Sequence, residues 1–357
     1  MNLTTNELIN LKYMMKVISI ATWLMLLILA GCSDASPSAE EPSAQERTIT
    51  LNLDITTRAD NGTDTPEKLR LWICDGSDKL IQYIENSPTW QASSTEGVDW
   101  ITSLQAKIKT KEIESLNFYL VLNDAYSSVD DTSPISFNID DIAALKNTSF
   151  VLTNYGGDNK VPMTGTQNLT LEANKLEYDV SIDATRCVAK LGIYCTKSNS
   201  ESKLTIKSIT LGNIPDKGYL FETHVDNQIN YTAETLSFKG EIKKIYTDAF
   251  PSNFEEFEKI EENSFTQVYY DYLQENLNGN ENIQIANDEI IDDKRYYIKL
   301  KYTLNDLDDE KIIYLSQMKR NLFSKIYIRI NDAITVEDIY CQVNSWTKHE
   351  MDVPPFE

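Results

Sequence analysis

Few side chains in this sequence have the types and spacing that catalysis requires. There are two histidines, His224 and His349, and they lie far apart in polar surroundings. No CxxC, HExxH, GxSxG or glycine-rich phosphate loop is present, and these are motifs that bring nucleophiles, bases and metal ligands together. The sequence therefore predicts that the protein is not an enzyme and has no catalytic residue, metal site or cofactor.

Acidic residues are abundant, but their arrangement does not indicate a binding site. They cluster at 254–263, 287–295 and 305–311, and none of these clusters has the spacing of a calcium-binding EF-hand loop. The formal net charge of the chain is −22. Because nucleic acid binding needs a basic footprint, we expect no nucleic acid partner.

Cys32 is the residue whose setting predicts a covalent modification. Lys16 precedes an apolar run over 17–30, which is shorter than the roughly 20 residues of a membrane span. A charged start, a short apolar core and small residues before the cut are typical of a secretory signal. The run ends in Leu-Ala-Gly-Cys, which resembles the lipobox of bacterial lipoproteins. We predict a signal peptide over 1–31 and lipidation of Cys32.

Residues 32–47 are small, polar and acidic and include two prolines. Such a segment cannot bury a core, so we expect a disordered acidic tether. The stretch that follows, "TITLNLDITTRAD", alternates strictly between apolar and polar residues. This predicts a strand with one buried face, whose buried residues are Ile49, Leu51, Leu53 and Ile55.

After this strand, Arg58 and Ala59 open a polar stretch with the composition of an exposed loop that a protease could enter. Taken alone, the alternation favours an N-terminal edge strand followed by a hairpin loop.

Strand-like runs dominate the rest of the chain, and they predict an all-β protein. One short helix is predicted within 138–148, with Asn138 or Asp140 as N-cap and Ile142 and Leu145 on one face. A boundary near Thr185 separates two series of strands and predicts domains over 48–185 and 186–357. The runs are 68–75, 116–124, 168–174, 176–182, 186–195, 203–213, 295–304, 311–317, 325–332 and 334–346.

The cysteines at positions 74, 187, 195 and 341 lie in strand-like runs, where free cysteine commonly acts as a small buried hydrophobe. Cys187 and Cys195 are too far apart along one extended strand to form a disulfide. A cross-strand disulfide is left open.

Several short motifs follow the lipobox at Cys32 in a characteristic order. They are "TITLNLDITTRA", "LRLWICDGSDKLI", "FYLVLND", "VPMTG" (161–165), "RCVAKLGI", "MKRNLFSKIYIRI" (318–330) and "VNSW" (343–346). With these motifs the sequence resembles the fimbrillins, the pilin lipoproteins of Gram-negative anaerobes that build type V fimbriae. This resemblance implies two transthyretin-like β-sandwich domains with few short helices.

The resemblance also implies a function in adhesion. It implies export as a lipoprotein to the surface of the outer membrane and cleavage between Arg58 and Ala59 by an arginine-specific surface protease. The first strand would then leave, and the subunit would join a fimbrium with copies of itself or related subunits by donor-strand exchange. The implied donor is the C-terminal strand, through Ile339, Cys341 and Val343.

Two alternatives stay open at the level of sequence. Arg47 also precedes the first strand, and a cut there would leave the strand in place; stalk, anchor and tip roles are not distinguished. The competing function is that of a monomeric surface lipoprotein that binds glycans or a host protein, with Trp72, Trp90 and Trp100 as a sugar platform.

Overall fold

The computed structural model describes residues 46–57, 65–95, 98–111, 113–128, 133–152, 160–221, 229–279, 282–286, 294–331 and 336–345. Within these ranges the chain is mostly β, as predicted, and no helix is long and apolar enough to span a membrane. Two short α-helices are present, α1 (Ile142–Lys146) and α2 (Phe254–Phe257), together with one 3-10 turn (Glu262–Ser264).

The strands of the first part of the chain are β1 (Arg47–Thr57), β2 (Leu69–Asp75), β3 (Leu80–Asn86), β4 (Gln91–Ala92), β5 (Trp100–Thr110), β6 (Ser115–Leu122), β7 (Ser149–Phe150), β8 (Met163–Thr170) and β9 (Glu177–Arg186). Those of the second part are β10 (Val188–Lys197), β11 (Leu204–Pro215), β12 (Gly218–Tyr219), β13 (Tyr231–Thr235), β14 (Gly240–Ile242), β15 (Thr266–Gln274), β16 (Gln284–Ala286), β17 (Tyr297–Leu304), β18 (Leu307–Tyr314), β19 (Leu322–Ile330) and β20 (Val336–Ser345).

The described strands form four sheets. An eight-stranded sheet has the order β3-β2-β6-β8-β9-β1-β5-β4 and uses residues up to Arg186. From Val188 onward, a four-stranded sheet (β15-β10-β19-β20) and a six-stranded sheet (β13-β11-β17-β18-β16, with β14 also on β11) take over. A small ribbon pairs β7 with β12. Separate domains over 48–185 and 186–357 stay a prediction.

The first core is built by both ends of the eight-stranded sheet. Strands β8 and β9 pair at only two positions, Met163 with Arg186 and Thr164 with Thr185. Beyond this narrow junction the two ends of the sheet contribute to one apolar cluster, because residues of β2 and β6 pack with residues of β1, β5 and β9. The second core holds the inward residues of the four- and six-stranded sheets.

A third cluster joins the two parts, and three of the sequence motifs meet beside it at the carbonyl of Leu220. Thr164 of "VPMTG" donates to this oxygen at 2.8 Å, and Arg320 of "MKRNLF" donates at 2.9 Å. The thiol of Cys187, from "RCVAKLGI", lies 3.2 Å from the same oxygen. We call this arrangement the Leu220 joint.

Arg320 anchors the Leu220 joint. Its guanidinium also contacts the carbonyls of Tyr219 (3.1 Å) and Phe221 (3.4 Å) and pairs with the carboxylate of Glu275 at 3.0 Å. The Arg320 and Glu275 side chains are 13% and 9% exposed. The motif therefore carries a nearly buried ion pair that ties loop backbone to β19.

The sequence predicted the buried face of helix α1 correctly, but it did not predict the correct N-cap residue. Ile142 and Leu145 are buried, as expected, but the N-cap is Asp141 and not Asn138 or Asp140. The Asp141 carboxylate accepts from the backbone N–H of Ala144 at 2.8 Å, and this satisfies a helix N–H that has no intrahelical partner. The cysteines at positions 74, 187, 195 and 341 are buried and free.

Candidate functional site

The predicted site residues fall into three groups. Cys32, Arg58 and Ala59 lie outside the described residues. The apolar residues of the first strand lie in β1, and the predicted donor residues lie in β20.

Strand β1 is an interior strand, so the interpretation of an N-terminal edge strand with a hairpin was wrong. It pairs in parallel with β9 over Thr50–Thr57, opposite Glu177–Ala184. On its other side it lies next to β5, where Asp99 N–H donates to the Thr57 carbonyl at 2.9 Å. A hairpin would have placed the next strand, β2, beside it. The neighbours are instead more distant in sequence, because the pairing of β1 is decided by the whole sheet.

The inner face of β1 is fully buried. Ile49, Leu51, Leu53 and Ile55 each have 0% exposure and belong to the first core. Burying four such side chains stabilises by about 6–12 kcal/mol as an upper value. Strand β1 therefore completes the first core and occupies the gap between β9 and β5. We call this gap the β1 slot.

The outer face of β1 is tied to both neighbours by side-chain hydrogen bonds. Asn52 donates to Glu177 at 3.0 Å and to Asp179 at 2.9 Å, and it accepts from Gln105 at 3.0 Å. Asp54 accepts from Ser103 at 2.5 Å. Because residue numbers rise along β5 as they fall along β1, these two strands run antiparallel.

Loss of β1 would divide the sheet. Among the strands that the structure describes, β5 and β4 are joined to β9 and the rest of the sheet only through β1. Strand β5 also supplies Ala106 and Ile108 to the first core. An empty β1 slot would therefore expose apolar side chains and leave two strand edges without backbone partners, a state that favours pairing with another strand.

Sequence reasoning missed β5, although its signal was present. Leu104, Ala106 and Ile108 alternate with polar residues, which is the same period of two that identified β1. The run also carries Gln105, Lys107 and Lys109 on its polar face, and lysine is depleted in strands. The periodicity should have outweighed this composition.

The predicted donor residues already belong to the chain's own four-stranded sheet. Strand β20 pairs antiparallel with β19, with Cys341 opposite Ile326 and Val343 opposite Ser324. Cys341 is buried in the second core, and Ile339 packs against that core. Among the described strands β20 lies at the edge of this sheet, so it can be released by breaking its ladder to β19.

Aromatic side chains cover the other face of β20. Phe257 stacks on Tyr340 with ring centroids 3.7 Å apart, and Phe265 packs edge-on against Tyr327 of β19 at 4.9 Å. Burial raises the pKa of Tyr340 to about 12. We call residues 250–265, which supply these rings, the aromatic cover.

The tryptophans do not form the predicted sugar platform. Trp72 is fully buried in the third cluster, whereas Trp90 is 9% exposed and belongs to the first core, against which Trp100 packs. These side chains serve packing in two separate clusters. Within the described ranges, no group of three or more His, Cys, Asp or Glu residues could hold a metal ion.

A cavity of about 360 Å³ lies beside the Leu220 joint and is lined in part by Tyr119, Lys146, Asp183 and Arg320. Lys146 pairs with Asp78 at 2.6 Å. Burial alone would raise the pKa of Asp78, but hydrogen bonds from Lys146, Tyr119 and Asn117 lower it overall. The cavity lining thus combines charged side chains with the aromatic rings of Tyr119 and Phe221.

Comparison with known proteins gave matches among solved structures, while no family model and no curated protein matched. A candidate cell adhesion protein from Parabacteroides distasonis matches with a TM-score of 0.51 at 13% identity, over 85% of this chain and 98% of that one. The tip fimbrial protein Mfa3 from Porphyromonas gingivalis, truncated at its C-terminus, matches with 0.48 at 13%, over 84% and 99%. A fimbrial assembly protein from P. distasonis matches with 0.46 at 13%, over 87% and 99%. The resemblance expected from the sequence is thus confirmed at the level of fold, by the match to the candidate cell-adhesion protein.

Proposed function

We propose that this protein is a structural subunit of a cell-surface fimbrium that serves adhesion. It is exported as a lipoprotein through Cys32, held at the outer membrane, and cut after Arg58 by an arginine-specific surface protease. Strand β1 then gives way to a strand from another subunit. In this proposal the chain is built as two transthyretin-like β-sandwich domains, and its partners are copies of itself or related fimbrial subunits.

The interior position of β1 carries the proposal. Its four apolar side chains are fully buried, and it has a strand on each side. A strand with these properties cannot leave without replacement, because both the core and two backbone edges would be exposed. An incoming strand from a neighbouring subunit would cover the core again and pair with the two backbone edges. This is β-strand addition used for assembly.

The C-terminal strand is the proposed donor, through Ile339, Cys341 and Val343. Strand β20 must first leave β19 and the aromatic cover, and its apolar residues then fill the β1 slot of the next subunit. The donor strand leaves one buried position and enters another, so we expect the free-energy change of the donor subunit to be close to zero. The acceptor subunit regains a buried core, so its free-energy change should be favourable.

Mass spectrometry of the assembled surface form tests the proposal. A processed subunit should begin at Ala59, and an unprocessed lipoprotein should begin at lipidated Cys32. Arg58→Ala should give a stable, lipidated monomer and no fibres that contain this subunit. Arg47→Ala is the matched control and should process normally. Normal fibres from cells that carry Arg58→Ala would refute cleavage at this position.

A second candidate function, glycan binding by a monomeric surface lipoprotein, is favoured by the cavity beside the Leu220 joint. Its volume and its mixture of aromatic and polar walls suit a small polar ligand. Binding of oligosaccharides to the uncut chain, lost in a Tyr119→Ala variant, would support this function. A surface form that begins at Ala59 would instead favour the fimbrial subunit.

A further inference from the structure

The outer rim of the β1 slot on the β9 side is acidic. Four residues of β9 point outward along the slot, namely Glu177, Asp179, Ser181 and Asp183, and all four are exposed. Three of them are carboxylates. A strand that occupies the slot must place its own outward side chains next to these groups, because the pairing is in register.

The outward residues of β1 match this rim position by position. Asn52 lies opposite Asp179 and donates both to that carboxylate and to Glu177. Thr56 lies opposite Asp183 and donates to it. The acid of β1, Asp54, falls opposite the one rim residue that carries no charge, Ser181.

The β5 rim has the opposite character. Gln105 donates to the Asn52 side-chain oxygen, and Ser103 donates to Asp54. Lys107 and Lys109 continue the exposed face of β5. An amide at the position of Asn52 is therefore suited to both rims, because its nitrogen donates to the acidic rim and its oxygen accepts from the other.

We propose that the two rims of the β1 slot select the strand that replaces β1. The occupant is a strand of another subunit with an amide or hydroxyl side chain facing Asp179 and Asp183, and strands with a carboxylate there are rejected. This inference rests on the proposed function, since it names the partner of the same slot. The chain's own C-terminal segment has the required residue types, because Tyr340, Gln342 and Asn344 alternate with Cys341 and Val343. A register that places the Tyr340 hydroxyl opposite Asp179 also places the Asn344 amide opposite Asp183.

A strand with a carboxylate at the position of Asn52 is disfavoured by its immediate neighbours on β9. A carboxylate in place of the Asn52 amide keeps its shape but loses two donated hydrogen bonds and faces like charges, which is unfavourable across strands. Asp54→Asn is the reverse substitution. Its amide lies opposite uncharged Ser181, and the amide oxygen can still accept from Ser103. These neighbouring positions form a matched pair.

Peptide exchange into the full chain tests the inference. The chain is cut at a specific protease site placed within 58–64 and incubated with fluorescent peptides of residues 47–57. The natural peptide and one with Asp54→Asn should enter with apparent affinities within about twofold of each other, and one with Asn52→Asp should enter about tenfold more weakly.

A reciprocal change in the acceptor provides the control. The double variant Glu177→Gln, Asp179→Asn should accept the Asn52→Asp peptide as well as the natural one. The variant Glu201→Gln, Glu234→Gln makes the same change in charge at exposed positions outside the slot and should keep the tenfold discrimination.

The outcomes separate this inference from the proposed function. If all peptides enter equally, strand exchange stands and selection by the rims is overturned. If discrimination survives in the double variant, the acidic rim is not its source and the inference is overturned as well. If no peptide enters, exchange and selection fall together.

Discussion

Replacing Arg320 should be the most damaging single change at the Leu220 joint. Arg320→Ala removes the partner of a Glu275 carboxylate that is 9% exposed, together with the donor to the carbonyls of Tyr219 and Phe221. Removing one member of a buried ion pair costs about 3–5 kcal/mol, since the other charge stays buried after it has lost its ionic partner. We therefore expect the free energy of unfolding to fall by about 3–5 kcal/mol.

Three further variants distinguish the buried charge from general damage. Arg320→Lys should recover little, because one ammonium cannot reproduce the planar fork that reaches carboxylate and carbonyls together. Arg320→Met with Glu275→Gln should recover about 2 kcal/mol relative to Arg320→Ala, since no charge is left buried. Lys207→Ala breaks an exposed pair with Asp308, whose side chains are 51% and 69% exposed, and should cost at most about 1 kcal/mol.

Urea unfolding followed by tryptophan fluorescence measures all four variants under the same conditions. A loss below about 1 kcal/mol for Arg320→Ala would refute the reasoning, because it would place this pair with the exposed ones. An unchanged stability of the double variant relative to Arg320→Ala would also refute it, because the buried carboxylate would then not be the cause.

Three other predictions follow from packing and burial. Leu53→Ala should lower the free energy of unfolding by about 2–5 kcal/mol and speed hydrogen exchange in β1. Thr50→Ala, on the outer face, should change the stability and the exchange rate only slightly. Gly165→Ala should destabilise by about 1–3 kcal/mol in the same urea titration, since a Cβ there would lie 2.6 Å from the Asp183 carbonyl. Burial raises the pKa of the Cys195 thiol to about 12, so the described cysteines should resist iodoacetamide at pH 8 in the folded chain and react after unfolding, as mass spectrometry would show.

Alternation and residue type predicted about half of the described strands, because both are local properties of the chain. Alternation correctly identified the buried face of β1 from Ile49 to Ile55. It could not show that β1 is interior, since that depends on β9, whose residues pair with β1 from more than 120 positions away. The edge-strand interpretation failed for this reason.

The role of Arg320 could likewise not be predicted from the sequence. The motif "MKRNLF" marked the position, but a lone arginine before a strand has no local signal for burial. Its partners are Glu275 and a loop about 100 residues earlier, and only the folded chain brings them together. The helix start was missed by a smaller margin, because Asn138, Asp140 and Asp141 are all residue types that cap helices.

The interior position of β1 also decides how the molecule bears force. A pull that reaches the chain through its N-terminal segment arrives at Arg47 and acts along the axis of β1. The ladder to β9 and the contacts with β5 then carry the load side by side, so they must shear together and cannot open one bond at a time. A strand at the edge of the sheet, peeled from one end, would yield at a lower force. The same geometry would hold any strand that took the place of β1, and it makes this slot a joint suited to tension.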